Sequence, residues 1–125
     1  MKVRMFVNGQ AMSGGSLNDA LAEASLVGRF KTAPRYRFFN VRDEFPGLYP
    51  VDEGGSHVHG EVYEVDYAVL REKLLPREPR ELELTVIELE DGSGSLCMKM
   101  REEYLDHPEH IDITSHGDWR LVQPN

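Results

Sequence analysis

Asn8-Gly9-Gln10, followed closely by Gly14-Gly15-Ser16, carries the most evident chemistry in this chain. The glycines let successive main-chain N–H groups turn toward one point, and a carboxylate or similar anion can sit in such a cradle. The stretch is not a P-loop, because no Gly-Lys-Ser/Thr follows, and it lacks the dinucleotide fingerprint. His57, His59 and Glu61 alternate along one expected strand face, and His107 and His110 lie three apart. At about 3.3 Å of rise per residue, Glu61 is roughly 13 Å from His57, too far for a compact metal triad. No metal is therefore expected, and His59 or His116 remains a candidate proton donor near the loop. Cys97 stands alone, so there is no disulfide framework and no thiolate zinc site. It reads as a small core hydrophobe, since nothing beside it in sequence would lower a thiol pKa.

The elements that must hold these residues follow from periodicity. Lys2 and Arg4 alternate with Val3, Met5 and Val7, the pattern of a half-buried strand running into the loop. Ser16 and Asp19 have capping-box spacing, and Leu17, Ala20, Leu21 and Ala24 predict an amphipathic helix after it. Strands are expected over 26–32, 36–41 and 57–65, with a long connection from Arg42 to Ser56 between the last two. Asp66 can cap a short helix with a Tyr67, Leu70 and Leu74 stripe, which Pro76 stops. Arg77 to Arg80 is a charged elbow. A hairpin follows, from the Leu82–Leu89 strand through Asp91-Gly92-Ser93-Gly94 into the Cys97 strand. The tail, 105–125, is expected to wrap the domain and bury Trp119 and Leu121. The fold class is therefore α+β, a small curved sheet or partly closed barrel with two short helices, in one domain over 1–125.

Composition narrows the partners. A formal net charge of -8 argues against nucleic acid and anionic membranes, both of which reward clustered Lys and Arg. No apolar run approaches a membrane span, and the first residues read as a strand rather than a signal peptide. The cytoplasm is the expected compartment, and no cofactor is expected. The sequence sets no oligomeric state.

Four pieces stand in a telling order: Phe6-Val7-Asn8-Gly9-Gln10, Pro46-Gly47-Leu48-Tyr49-Pro50, His59-Gly60-Glu61-Val62-Tyr63-Glu64-Val65, and Glu78 shortly before Leu84. Together they resemble the gamma-glutamylcyclotransferase-like superfamily. Its members open with a strand ending in a Tyr-Gly-Thr/Ser-Leu loop and carry a Gly-Glu-Val-Tyr-Glu-Val strand. Within it, Asn8 to Gly14 with Leu17-Asn18, Thr32 to Arg37 and Val86 to Gly92 resemble the C-terminal domain of allophanate hydrolase. Ile111 to Thr114 with Gly117 to Arg120 resembles the ending of its stand-alone relatives. Asn8 stands where the family loop has Tyr, and Gln10 where it has Thr or Ser, so the cradle is more polar and lacks an aromatic wall.

The resemblance implies a small barrel and a reaction run by one acid/base, Glu78. It also implies a substrate-binding loop of Val7, Asn8, Gly9, Gln10 and Ala11, with Tyr49 on the pocket wall and the Arg42–Ser56 loop as lid. Two chemistries follow from it. In a cyclotransferase the substrate's own α-amine attacks its γ-glutamyl carbonyl, and the carboxylate moves the proton to the leaving amine. In allophanate hydrolase the C-terminal domain is implicated in decarboxylating N-carboxycarbamate, the product of the amidase domain. A carboxylated amide or gamma-glutamyl-type compound is the expected small-molecule substrate, with the allophanate-hydrolase-like role as the alternative and an amidase as a candidate partner. A non-catalytic small-molecule sensor, or a module that binds an amidase, is the third reading. Against catalysis, Arg77-Glu78-Pro79-Arg80-Glu81 also reads as a solvated charged loop in which the arginines would lower the Glu78 pKa.

Overall fold

A computed structural model describes residues 1–122. Eight strands form one sheet: β1 (Lys2–Val7), β2 (Ser25–Lys31), β3 (Tyr36–Val41), β4 (Phe45–Pro50), β5 (His59–Asp66), β6 (Leu82–Glu88), β7 (Gly94–Met100) and β8 (His110–Asp112). They run in the order β2-β5-β1-β7-β4-β3-β8, and β6 pairs with β7 off that path. The sheet curls into a half-barrel and is mixed: β1 and β4 each lie parallel to β7, while the other pairs are antiparallel. One short helix, α1 (Tyr67–Val69), accompanies it. No described helix is long and apolar enough to cross a membrane.

β1 begins with the expected alternation, Lys2 and Arg4 exposed, and then buries Met5, Phe6 and Val7 in succession. That change marks a strand flanked by β5 and β7 and covered on both faces, where alternation gives way to a continuous apolar run. Phe6, Phe38, Leu48, Leu74 and Leu89 are fully buried members of the main core cluster. A smaller cluster of Val41, Phe45, Leu82 and Met100 packs with Phe39, Tyr49 and Met98.

Several expectations are corrected. The helix after the cradle is a single 3-10 turn, Asn18–Leu21, with Leu17 at its N-cap and no side-chain cap. Asp19 leaves the capping position to pair with Arg77 at 2.7 Å, and Asn18 is drawn to Ala11 O at 2.8 Å and Tyr63 OH at 3.0 Å. β2 then takes the chain at Ser25, so two short helices reduce to one plus turns. The Arg42–Ser56 segment is no free loop, because β4 fills its middle and pairs with β3 throughout. Pro46 and Pro50 are tolerated because the other edge of β4 meets β7 only around Leu48 and Lys99.

α1 is capped by Asp66, whose carboxylate accepts from the Ala68 N–H. The helical path continues through Leu70–Leu74 and a 3-10 turn, Leu75–Arg77, which holds Pro76 rather than stopping before it. Leu70 and Leu74 are buried as expected, but Tyr67 is 47% exposed and leaves the stripe. The chain turns extended at Glu78 (ψ 143), the residue before Pro79, where a following proline disfavours helix.

The C-terminal segment lies against the sheet. Ile113 N–H donates to Phe38 O at 2.7 Å, Phe38 N–H to Thr114 Oγ1 at 2.9 Å, and His59 N–H to Gly117 O at 2.7 Å. Trp119 is buried, but Leu121 is 69% exposed, against expectation, because it ends a one-turn 3-10 element that offers only the Trp119 face to the core. Residues 123–125 of the expected tail fall outside the described residues.

Candidate functional site

A cavity of about 70 Å³ lies at the seam between the two core clusters. A single water needs about 10–15 Å³ of such space, so the cavity suits a compact ligand. Met5, Phe6 and Val7 of β1 form one wall, and Phe45 with Pro46 of β4 another. Val7, Asn8, Gly9, Gln10 and Ala11 all line it, and so does Glu78 from the elbow. Six of the seven residues singled out in the sequence therefore meet at one place.

Tyr49 does not. It packs with the smaller core cluster, and the Lys99 ammonium lies 5.0 Å from the centre of its ring. Four residues along β4 carry it about 13 Å beyond Phe45, which supplies the aromatic wall in its stead. The histidines are also elsewhere. His59 lies in a groove with Lys31 and Glu90, and His57, outside β5, has Nδ1 2.6 Å from Thr32 O. His116 is exposed and does not line the cavity.

The cradle is built by close approach and by a buried carboxylate. A Cβ on Gly9 would stand 2.5 Å from Pro46 Cδ, so only glycine lets the loop lie against β4. Met12 N–H donates to Gly9 O at 3.0 Å and Leu17 N–H to Gln10 O at 2.9 Å, which close the loop. The N–H groups of Gly9, Gln10 and Ala11 donate to no acceptor among the described residues. The Gln10 side chain donates to Glu44 O and fastens the loop to the turn between β3 and β4. From below, Glu61, 3% exposed on β5, accepts from Ser13 N–H at 2.7 Å and Ser13 Oγ at 3.2 Å. Tyr63 OH joins the same group. Sequence reasoning missed Ser13, Asn18 and Tyr63 as loop holders; the signal available was the Gly60-Glu61-Val62-Tyr63 alternation, which places a carboxylate and a phenol on one face.

Glu78 has no ion pair or side-chain hydrogen bond among the described residues. Arg77 turns instead to Asp19 at 2.7 Å and Ser16 O at 3.4 Å. Burial alone acts on the Glu78 carboxyl and raises its pKa from 4.5 to about 7. The arginine effect weighed from the sequence is therefore not what governs this residue. Cys97 lines the same cavity, its thiol pushed up first by burial and then by the nearby Glu78 charge, so it is no thiolate nucleophile. Asn8 is 9% exposed and sets its Nδ2 4.0 Å from Cys97 Sγ. Among the described residues, Arg77 and Glu78 are the only formally charged side chains on the cavity lining. The arrangement can hold a small anion on main-chain donors beside a carboxylic acid that keeps its proton to near neutral pH.

The allophanate hydrolase C-terminal domain family matches residues 3–123. The chain belongs to that family. With it comes membership of the gamma-glutamylcyclotransferase-like superfamily, whose fold the half-barrel shares. A Vibrio cholerae protein named "putative gamma-glutamylcyclotransferase" is 33% identical over 120 residues, 95% of this chain and 96% of that one. The crystal structure of a uropathogenic E. coli-specific protein is 32% identical with a TM-score of 0.90, covering 97% of this chain and 94% of that one. Kluyveromyces lactis allophanate hydrolase is 26% identical with a TM-score of 0.88. That match covers 96% of this chain but only 21% of the much longer hydrolase.

Proposed function

We infer that this chain is an acid/base enzyme for a compact carboxylated amide, with Glu78 as the group that carries the proton. The observation that bears most weight is a desolvated, unpaired Glu78 carboxyl sharing a small cavity with the Asn8-Gly9-Gln10 loop. N-carboxycarbamate is the substrate that suits it best. Protonation of its nitrogen lets one C–N bond break with the electron pair remaining on nitrogen. CO2 leaves, and carbamate remains. Protonated Glu78 supplies that proton and recovers one from water. The unused N–H groups of Gly9, Gln10 and Ala11 receive one carboxylate, and the Asn8 amide offers a further donor. A dianion beside an ionised Glu78 would be repelled, so a carboxyl that stays neutral to about pH 7 is the form such a ligand needs. The step as written uses neither metal nor organic cofactor.

In this reading the chain works in the cytoplasm on the product of an amidase. The likeness to about one fifth of a longer allophanate hydrolase supports that association.

A cyclotransferase reading has the name of the Vibrio cholerae relative in its favour. A γ-glutamyl head, however, carries an α-ammonium as well as a carboxylate. Apart from Glu78 itself, no acidic side chain among the described residues lines the cavity to receive it. The deciding assay supplies 13C-labelled N-carboxycarbamate in situ from an allophanate-cleaving amidase and follows its decay by NMR. The wild type shortens its lifetime, Glu78→Gln leaves it at the uncatalysed value, and γ-glutamyl amino acids yield no 5-oxoproline. Formation of 5-oxoproline by wild type but not by Glu78→Gln would transfer the assignment to cyclotransfer.

A further inference from the structure

β6 is an edge of the sheet: β7 pairs with it along its whole length, and no described strand lies on its other side. An exposed edge is a template for another strand unless something blunts it. The other two edges are blunted. β2 carries a bulge between Leu26 and Gly28 and presents Arg29 and Lys31, while β8 has only 3 residues. β6 has 7 residues in unbroken register and two exposed apolar side chains, Leu84 at 42% and Val86 at 68%.

Main-chain groups point alternately to the two sides of a strand. On the outer side of β6, Leu82 N–H donates to Pro79 O at 3.1 Å. Glu88 N–H donates to Tyr36 OH at 2.8 Å, and Glu88 O accepts from Ala33 N–H at 3.0 Å. The N–H and C=O of Leu84 and Val86 point to the same side and have no partner among the described residues. The free groups thus belong to two residues placed evenly about Thr85, and the occupied ones stand beyond them at either end. Such a pattern is its own antiparallel complement.

We propose that β6 is a homodimer interface, where a second copy of this chain adds its own β6 antiparallel across a two-fold axis at Thr85. Leu84 then lies opposite Val86 of the second copy, and the two exchange their N–H and C=O groups. Thr85 meets Thr85, Glu83 meets Ile87 and Leu82 meets Glu88. No carboxylate therefore stands opposite another, which matters in a chain of net charge -8. The ends are complementary too. The Arg80 guanidinium makes no ion pair or hydrogen bond among the described residues, and the antiparallel register brings it beside the exposed Glu88 carboxylate of the second copy. Leu84 also borders a groove with Leu75, Pro79 and Met98, so the pairing covers apolar surface as well as strand edge.

The test is sedimentation velocity of the intact chain from micromolar to roughly millimolar concentration, with amide hydrogen exchange followed by NMR at both ends of that range. The chain passes from monomer to dimer. In the dimer the Leu84 and Val86 amides exchange at least about tenfold more slowly than in the diluted monomer. Val86→Lys, a change at an exposed side chain, weakens the dimer by about tenfold or more and leaves the melting temperature of the diluted chain unchanged. Arg80→Glu, which sets a carboxylate beside Glu88, weakens it as well. A chain that stays monomeric throughout overturns the proposal. So does a dimer whose Leu84 and Val86 amides exchange as fast as the monomer's, or one that Val86→Lys leaves intact, since its contact lies elsewhere. Neither Val86 nor Arg80 lines the Glu78 cavity, so each of these outcomes is independent of the reading of that cavity.

Discussion

The main-chain N–H of Ser13 donates to Oε1 of Glu61 at 2.7 Å, and this one bond ties the glycine loop to the middle of β5. Ser13 Oγ, Tyr63 OH and Asn18 Nδ2 extend it into a partly buried network beneath the cradle. Glu61→Ala strands the Ser13 N–H and lowers unfolding free energy by about 1–3 kcal/mol in urea. The same variant loses the rise in melting temperature that malonate, a stable analogue of N-carboxycarbamate, gives the wild type. Retained malonate stabilisation would mean that the network supports the fold but not the cradle.

Two glycines of that loop have opposite expectations. Gly9→Ala forces a Cβ to 2.5 Å from Pro46 Cδ and 2.9 Å from Cγ, within a rigid ring. It costs about 1–3 kcal/mol as overpacking and displaces the cavity wall, so malonate stabilisation disappears. Gly14, at φ 85 with nothing within 4 Å of where a Cβ would stand, is constrained only by its backbone. Gly14→Ala costs about 1–2 kcal/mol, the left-handed penalty, and leaves malonate stabilisation intact.

Much of this was legible in the residues, and the exceptions have physical causes. Lys2 to Val7 announces its strand by alternation, and Glu78 stands with Asn8, Gly9 and Gln10 as its place in the motif order implied. Tyr49 was misplaced because Pro46-Gly47 and Tyr49-Pro50 look like turn punctuation, whereas a strand with one lightly paired edge tolerates both prolines. The Leu17-Ala20-Leu21 periodicity overstated a helix, since Asp19 and Asn18 find stronger partners in Arg77, Ala11 and Tyr63 than a cap would offer. The elevated Glu78 pKa was hidden for a related reason. Neighbours in sequence suggested arginine contacts, but Arg77 is held away by Asp19, a residue 58 positions distant.

Arg42 and Asp43 both adopt left-handed backbone, at φ 54 and φ 61, in the turn between β3 and β4. Arg42 is held there by Glu81, which is 7% exposed, and by Glu44. Arg42→Gly removes the backbone penalty but leaves the Glu81 carboxylate without its partner, and the urea midpoint falls. Adding Glu81→Gln restores part of the loss. If Arg42→Gly alone raised the midpoint, backbone strain would outweigh the ion pair.

Stability should depend on pH through Glu78. Its pKa is 4.5 in an ordinary environment and about 7 in the fold. Between those values the folded protein binds a proton that the unfolded chain has released. The stabilisation is therefore complete below pH 4.5 and is lost as pH rises through about 7. Glu78→Gln cannot lose that proton, so its stability relative to wild type climbs across this window. The gain levels off on the order of 3 kcal/mol, because each tenfold change in proton affinity is worth about 1.36 kcal/mol. Chemical denaturation at a series of pH values measures it; parallel curves for the two proteins would place the carboxyl in solvent.

The most direct measurement is a 13C NMR titration of the Glu78 side-chain carboxyl, with and without malonate. The predicted midpoint is near 7 in the free protein. With malonate bound it moves further upward, because a dianion beside Glu78 favours its neutral form. A midpoint near 4.5 that malonate leaves unmoved would contradict the assignment of Glu78 as the proton-bearing group of the site.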